Sequence, residues 1–225
     1  MLKVKIKNII IILLLLVISS VNTATAQKLP LTGKVITIDP GHGGRDPGTI
    51  YQNILEKNLN LEISLKLEKE LLKQGATVYM IRRTDIDLSS IYDSNKKRGD
   101  LYPRLLLIKE HKSDLYISVH INWYENSRYK GAEVLYNSIN KNNKILAEEI
   151  MNQFKGVLNS DRNIHTTDLY LYKNTTVPGV LVECGYLSNY QERKLLVDEE
   201  YQKNIAKALT NGIINYAKTT NGLDY

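Results

Sequence analysis

The chain is short of several features, and each shortage removes a class of protein. A single cysteine, Cys184, stands among 225 residues, so no intramolecular disulfide can form and stability has to come from packing. Neither an internal repeat nor a low-complexity linker divides the chain. Basic runs are absent apart from "NKKRGD" at Asn95–Asp100, which reads as a solvated loop, and nothing calls for a nucleic-acid partner. The pattern H-E-x-x-H does not occur, which excludes a helix-borne metalloprotease site. "GHGGRDPG" has neither the Lys-Ser/Thr ending of a P-loop nor G-x-G-x-x-G spacing, so a phosphate-binding reading of its glycines is weak.

The one uninterrupted aliphatic run, Ile9–Ile18, is 10 residues long, against the roughly 20 that a membrane span needs. Lys3, Lys5 and Lys7 precede it and "ATA" at Ala24–Ala26 follows it. This is the pattern of a signal peptide over residues 1–26, with export as its consequence. Those three lysines supply half of the formal net charge of +6. The remaining 199 residues, 27–225, are enough for one sizeable core, and one domain is expected.

Within that domain, apolar stretches of two periods alternate. "NILEKNLNLEISLKLEKELLKQG" places Leu59, Ile63, Leu67 and Leu71 at intervals of four and stops at Gly75, which predicts an amphipathic helix. "ATVYMI" reads as a strand, Leu101–Glu110 as a helix, "DLYISVH" as a strand ending at His120 and "GAEVLY" as another strand. "KILAEEIMNQFKGVL" is helical in pattern, "DLYLY" and "GVLVEC" are of strand type, and a last helix runs from Tyr201 to Lys218. Such alternation predicts an α/β layered domain with a mostly parallel sheet. Functional groups in such sheets gather beyond the carboxyl ends of the strands.

Three ionisable residues stand at strand ends of this kind. His42 follows "VITIDPG", His120 closes an apolar strand, and Glu183 follows Val180, Leu181 and Val182. Glu56 opens the first helix. Its spacing from Asn53 also fits a capping box, yet two imidazoles and one carboxylate are the ligand set of a catalytic zinc site that keeps one position for water. Glu183 is open to two readings: a structural salt bridge with Arg83 or Arg104, or the general base of such a site. Cys184 points to the opposite face of its strand and reads as core. Gly41, Gly43 and Gly44 are expected to leave room for a bulky substrate beside the metal.

Taken in order, "TIDPGHGGRDPG", Glu56 at a helix start, "RRTD", "DLYISVHIN", "GAEVLY" and "PGVLVECGYLSN" resemble the zinc-dependent N-acetylmuramoyl-L-alanine amidases of the amidase-3 type. The resemblance implies a single α/β domain with a six-stranded, mostly parallel central sheet flanked by helices. It implies Zn²⁺ as cofactor, His42, Glu56 and His120 as metal ligands, Glu183 as the catalytic glutamate, and peptidoglycan as substrate. The bond cut would be the amide between the lactyl group of N-acetylmuramic acid and L-alanine. An exported single domain without wall-binding repeats is similar to the amidases of spore formation, which prepare the cortex for muramic-lactam, and that places it on the cell-wall side of the membrane or in the forespore intermembrane space. A separate activating or delivering protein at the membrane is expected, since an unrestrained amidase would lyse its own cell. Two rival functions are a zinc carboxypeptidase on the stem peptide, for which Arg45, Arg83 or Arg104 would supply a cationic pocket, and a non-catalytic wall-binding module.

Overall fold

The computed structural model describes residues 28–89 and 96–221; the expected signal peptide lies outside the described residues. The first strand, β1 (Val35–Pro40), is followed by a small hairpin of β2 (Ile50–Tyr51) and β3 (Ile54–Leu55) and by helix α1 (Glu56–Lys73). Next come β4 (Thr77–Met80), α2 (Lys96–Glu110), β5 (Leu115–Asn122), β6 (Glu133–Tyr136) and α3 (Lys141–Leu158). The chain closes with β7 (Ile164–Thr166), a short α4 (Tyr170–Lys173), β8 (Gly179–Tyr186), α5 (Tyr190–Leu196) and α6 (Glu199–Asn221). Six strands form one sheet in the order β4-β1-β5-β8-β6-β7. Every pairing in it is parallel except that of β8 with β6. The expected fold class is the observed one.

The apolar spacing of α1 explains where it lies. Leu59, Ile63, Leu67 and Leu71 are all buried in the main core with Ile36 and Ile38 of β1 and Ile117 and Val119 of β5. Burying each such side chain is worth about 1.5–3 kcal/mol, so the stripe holds the helix to the sheet far more firmly than its end groups do. Cys184 is fully buried in this core. Alternation along β8 therefore sends its neighbour Glu183 to the other face, where Ile81, Ile108, Tyr116 and Leu181 form a smaller cluster.

Three local expectations are corrected. Asn53 does not cap α1: it sits in the β2–β3 turn at φ 65°, and the N-cap residue, Leu55, has no side-chain acceptor. The stretch 96–100 opens α2 rather than forming a loop, and its Asp100 is drawn into the interior by Arg104 one turn later, with Oδ2 accepting from Nε at 2.6 Å. "DLYLY" is not a strand. The edge position beside β6 is taken by Ile164–Thr166, and residues 170–173 form a helical turn whose Leu171 is buried against the second face.

Candidate active site

The site is assembled at the carboxyl ends of β1, β5 and β8, where the sheet's central strands stop together. His42 lies two residues beyond β1 at φ 61°, a left-handed conformation that costs strain in a residue other than glycine. Two buried guanidinium groups hold the chain there. Arg82 donates to the carbonyls of Pro40 (2.9 Å), Gly41 (2.9 Å) and Lys57 (2.7 Å), and Arg104 donates to those of Pro40 (2.9 Å) and His42 (2.7 Å). Burial and the neighbouring charge of Arg104 pull Arg82 down to about 10. Arg104 also pairs with Asp39, which accepts from Ser118 Oγ at 2.9 Å, so this buried hydroxyl of β5 is satisfied from β1.

Three expected residues converge. Glu56 Oε1 lies 3.1 Å from His42 Nε2 and 3.1 Å from His120 Nδ1, and one ligand atom from each of the three residues falls within 4.8 Å of the others. Ligands at 2.0–2.2 Å from a tetrahedral zinc stand about 3.4 Å apart, close to the 3.1 Å that separates Glu56 Oε1 from each imidazole nitrogen. Burial pushes the Glu56 carboxyl up, but hydrogen bonds from His120 and His42 outweigh it and hold the group far below the usual carboxylate range. Its remaining contacts, from the backbone N–H of Thr49 (2.8 Å) to Oε2 and from the backbone N–H of Ile121 (3.3 Å) and Asn60 Nδ2 (3.4 Å) to Oε1, fix its direction. The donor set fits a zinc ion.

Asp46 is a member of the site that was missed. Its Oδ2 lies 2.8 Å from His42 Nδ1, so it sets the tautomer that leaves Nε2 for the shared point. The signal was available in "HGGRD", where an acid follows the histidine by four residues in a tight loop.

Glu183 and His120 are Cα partners on adjacent strands. Glu183 Oε2 is buried and has no hydrogen-bond partner among the described residues. Burial, and then the charges of Glu56 and Glu133, raise its carboxyl far above the usual carboxylate range. The salt-bridge reading of this residue fails, because Arg83 pairs with Glu68 and Arg104 with Asp39 and Asp100. Arg45 is likewise engaged by Asp87, at 3.0 Å. Beyond Glu183 on the same face, Glu133 of β6 accepts from Asn122 Nδ2 (2.9 Å) and from the Tyr186 hydroxyl.

The expected role of the glycines is corrected. A Cβ on Gly41 would stand 2.2 Å from His120 Cε1, and one on Gly43 would stand 2.2 Å from the carbonyl oxygen of Ile86. Both are small so that protein packs on protein, His120 above all; they do not make room for a substrate. Room exists instead on either side of the histidines. One cavity of about 300 Å³ is walled by Leu101, Leu169, Leu171 and Leu181, and an open groove of about 410 Å³ runs past Glu56, His120, Trp123 and Glu183.

Known proteins share this fold. The chain is 36% identical over 196 residues to a germination-specific N-acetylmuramoyl-L-alanine amidase of Bacillus subtilis, an alignment spanning 84% of this chain and 82% of that protein. The CwlD amidase of Clostridioides difficile, solved in complex with the GerS lipoprotein, superposes with a TM-score of 0.79 at 35% identity, covering 83% of this chain and 99% of that one. The catalytic domain of CwlV, an N-acetylmuramoyl-L-alanine amidase of Bacillus (Paenibacillus) polymyxa var. colistinus, gives 0.72 at 31% identity over 82% and 98% of the two chains. The profile of the N-acetylmuramoyl-L-alanine amidase family matches residues 36–215, a span that contains β5, β8, all of β1 but its first residue and every residue of the site above, and the chain belongs to that family.

Proposed function

We propose that this protein is a zinc-dependent hydrolase of the amide joining N-acetylmuramic acid to the L-alanine of the peptidoglycan stem peptide, acting on the cell-wall side of the membrane during formation of the spore cortex. The observation that carries the reading is the convergence of His42, Glu56 and His120 on one point, with an unpartnered buried carboxylate, Glu183, on the adjoining strand. Zinc held there would supply a Lewis acid for the carbonyl and lower the pKa of water. The protein supplies the rest. Glu183 takes a proton from the attacking water at Oε2 and delivers it to the leaving amine of L-alanine. A carboxyl that burial biases toward holding a proton suits the second half of that task. Asp46 keeps the His42 ring turned toward the shared point, and Arg82 and Arg104 keep the β1 loop from relaxing.

The carboxypeptidase alternative needs a free cation for a terminal carboxylate, and each of the three arginines considered for that role already has an acidic partner. Mass spectrometry of purified peptidoglycan after digestion decides between the activities. Release of intact stem peptides beginning with L-alanine is the expected result; loss of a single C-terminal residue from stems that stay attached would overturn it.

Asp46→Asn keeps the size of the side chain and removes its charge. It is expected to leave the fold intact and to weaken zinc binding by about 10- to 100-fold, read by competition with a chromogenic chelator. Affinity equal to wild type would remove Asp46 from the site. As the C. difficile relative was solved with a lipoprotein, a delivering or activating partner at the membrane is also proposed here. The isolated chain should then be much less active on intact sacculi than in the partner's presence, and full activity alone would count against it.

A further inference from the structure

The groove beside Glu183 contains a residue that the reaction does not use. Trp123, the only tryptophan of the chain, is 46% exposed and lines the groove together with Glu56, His120 and Glu183. Exposing an indole costs apolar surface, and this one is mounted firmly. The pairing of β5 with β8 shifts register between His120 and Asn122, where β8 carries one residue more than β5 and Asn122 comes to lie opposite Tyr186. The backbone is tied down on both sides of the ring: Asn122 Oδ1 accepts from the Trp123 N–H at 2.8 Å, Leu187 N–H donates to the Asn122 carbonyl at 2.9 Å, and Tyr124 N–H donates to Ser188 Oγ at 3.2 Å.

We propose that Trp123 is the platform of a sugar-binding subsite, on which a pyranose ring of the glycan strand stacks as the strand passes the catalytic carboxylate. The inference rests on the amidase reading and names the part of the substrate that this groove takes. Charge selects the occupant. The groove is lined by no lysine or arginine, so nothing in it pairs with a terminal carboxylate of the stem peptide, whereas an uncharged glycan needs no such partner. Shape agrees, because a polymer has to reach the site from solvent and this groove is open to solvent. Pyranose rings present faces of C–H bonds that lie flat on the electron-rich face of an indole, and their hydroxyls stay in water. The surface continues outward through Tyr124, half exposed, whose ring meets that of Tyr129 at 4.5 Å between centroids.

A single tryptophan makes the test direct, since all indole emission of the full chain reports on position 123. Glycan strands stripped of their stem peptides are titrated into the protein, with free stem peptide as the control. A saturable blue shift with the strands and none with the peptide is expected. Trp123→Ala should lower affinity for the same strands, measured by co-sedimentation, by about tenfold or more, and Trp123→Tyr should recover most of it. Emission that does not respond to strands in a preparation that cleaves peptidoglycan would overturn the proposal, as would a Trp123→Ala protein that binds strands like wild type; the exposed indole would then face a protein partner. Failure of the amidase reading looks different: strands shift the emission and no stem peptide is released, which leaves the sugar subsite standing.

Discussion

Glu183→Gln is expected to fold, to bind zinc and to release stem peptides about 10²- to 10⁴-fold more slowly than wild type. The substitution keeps the shape of the side chain and removes its ability to take a proton. Were Glu183 half of a buried ion pair, loss of its charge would strand an arginine at about 3 to 5 kcal/mol, seen as unfolding or poor expression. The pairing of Arg83 with Glu68 and of Arg104 with Asp39 and Asp100 makes that outcome unexpected. Removing a buried, unpartnered acid should leave the melting temperature unchanged or raise it. A stable, zinc-loaded Glu183→Gln protein that released stem peptides at the normal rate would refute the catalytic assignment.

His42→Ala, His120→Ala and Glu56→Gln are expected to abolish activity together with zinc binding. The readout that separates this from simple damage is thermal. Zinc at a hundred times its Kd stabilises a protein by about 2.7 kcal/mol, which in a domain of this size raises Tm by roughly 5–10 °C. Wild type should show that zinc-dependent rise and the three variants should lack it, while keeping circular dichroism spectra of a folded α/β domain. Glu56→Gln is the most informative of the three. A capping glutamate would cost about 0.5–2 kcal/mol of stability when replaced and leave activity, but Asn53 is turned away in the hairpin and offers no box to complete. Full activity with a lower Tm in Glu56→Gln would restore the capping role, and an undiminished zinc-dependent rise in all three would overturn the metal site.

What could be read from residues alone was whatever depends on short-range pattern. The four-residue spacing of Leu59, Ile63, Leu67 and Leu71 specifies one face of a helix, and the run Val180–Val182 specifies a strand buried on both sides, wherever the rest of the chain goes. The alternation of such segments is enough for the layered fold, and the position of His42, His120 and Glu183 at strand ends is enough to nominate them. Short polar or mixed stretches were less legible. "DLYLY" has strand composition but forms a helical turn at residues 170–173 whose Leu171 is buried, and residues 96–100 become helical because Asp100 finds Arg104 one turn on.

Tertiary structure alone decided how the nominated residues are held and what each is free to do. Which acid Arg104 meets depends on Asp39, 65 residues away in sequence, and that choice leaves Glu183 without a salt bridge. Gly41, beside His42, serves the packing of His120, from a strand almost eighty residues further along, and no local pattern reports such a contact. Trp123 looks like any aromatic at a strand end until the register shift between β5 and β8 and the ties to Asn122, Leu187 and Ser188 place it in the groove. Periodicity records which face of an element is apolar because that face must leave water whatever it meets. Pairing between distant polar groups leaves no such record, since any acid could satisfy any base and only the folded chain determines which ones come within reach.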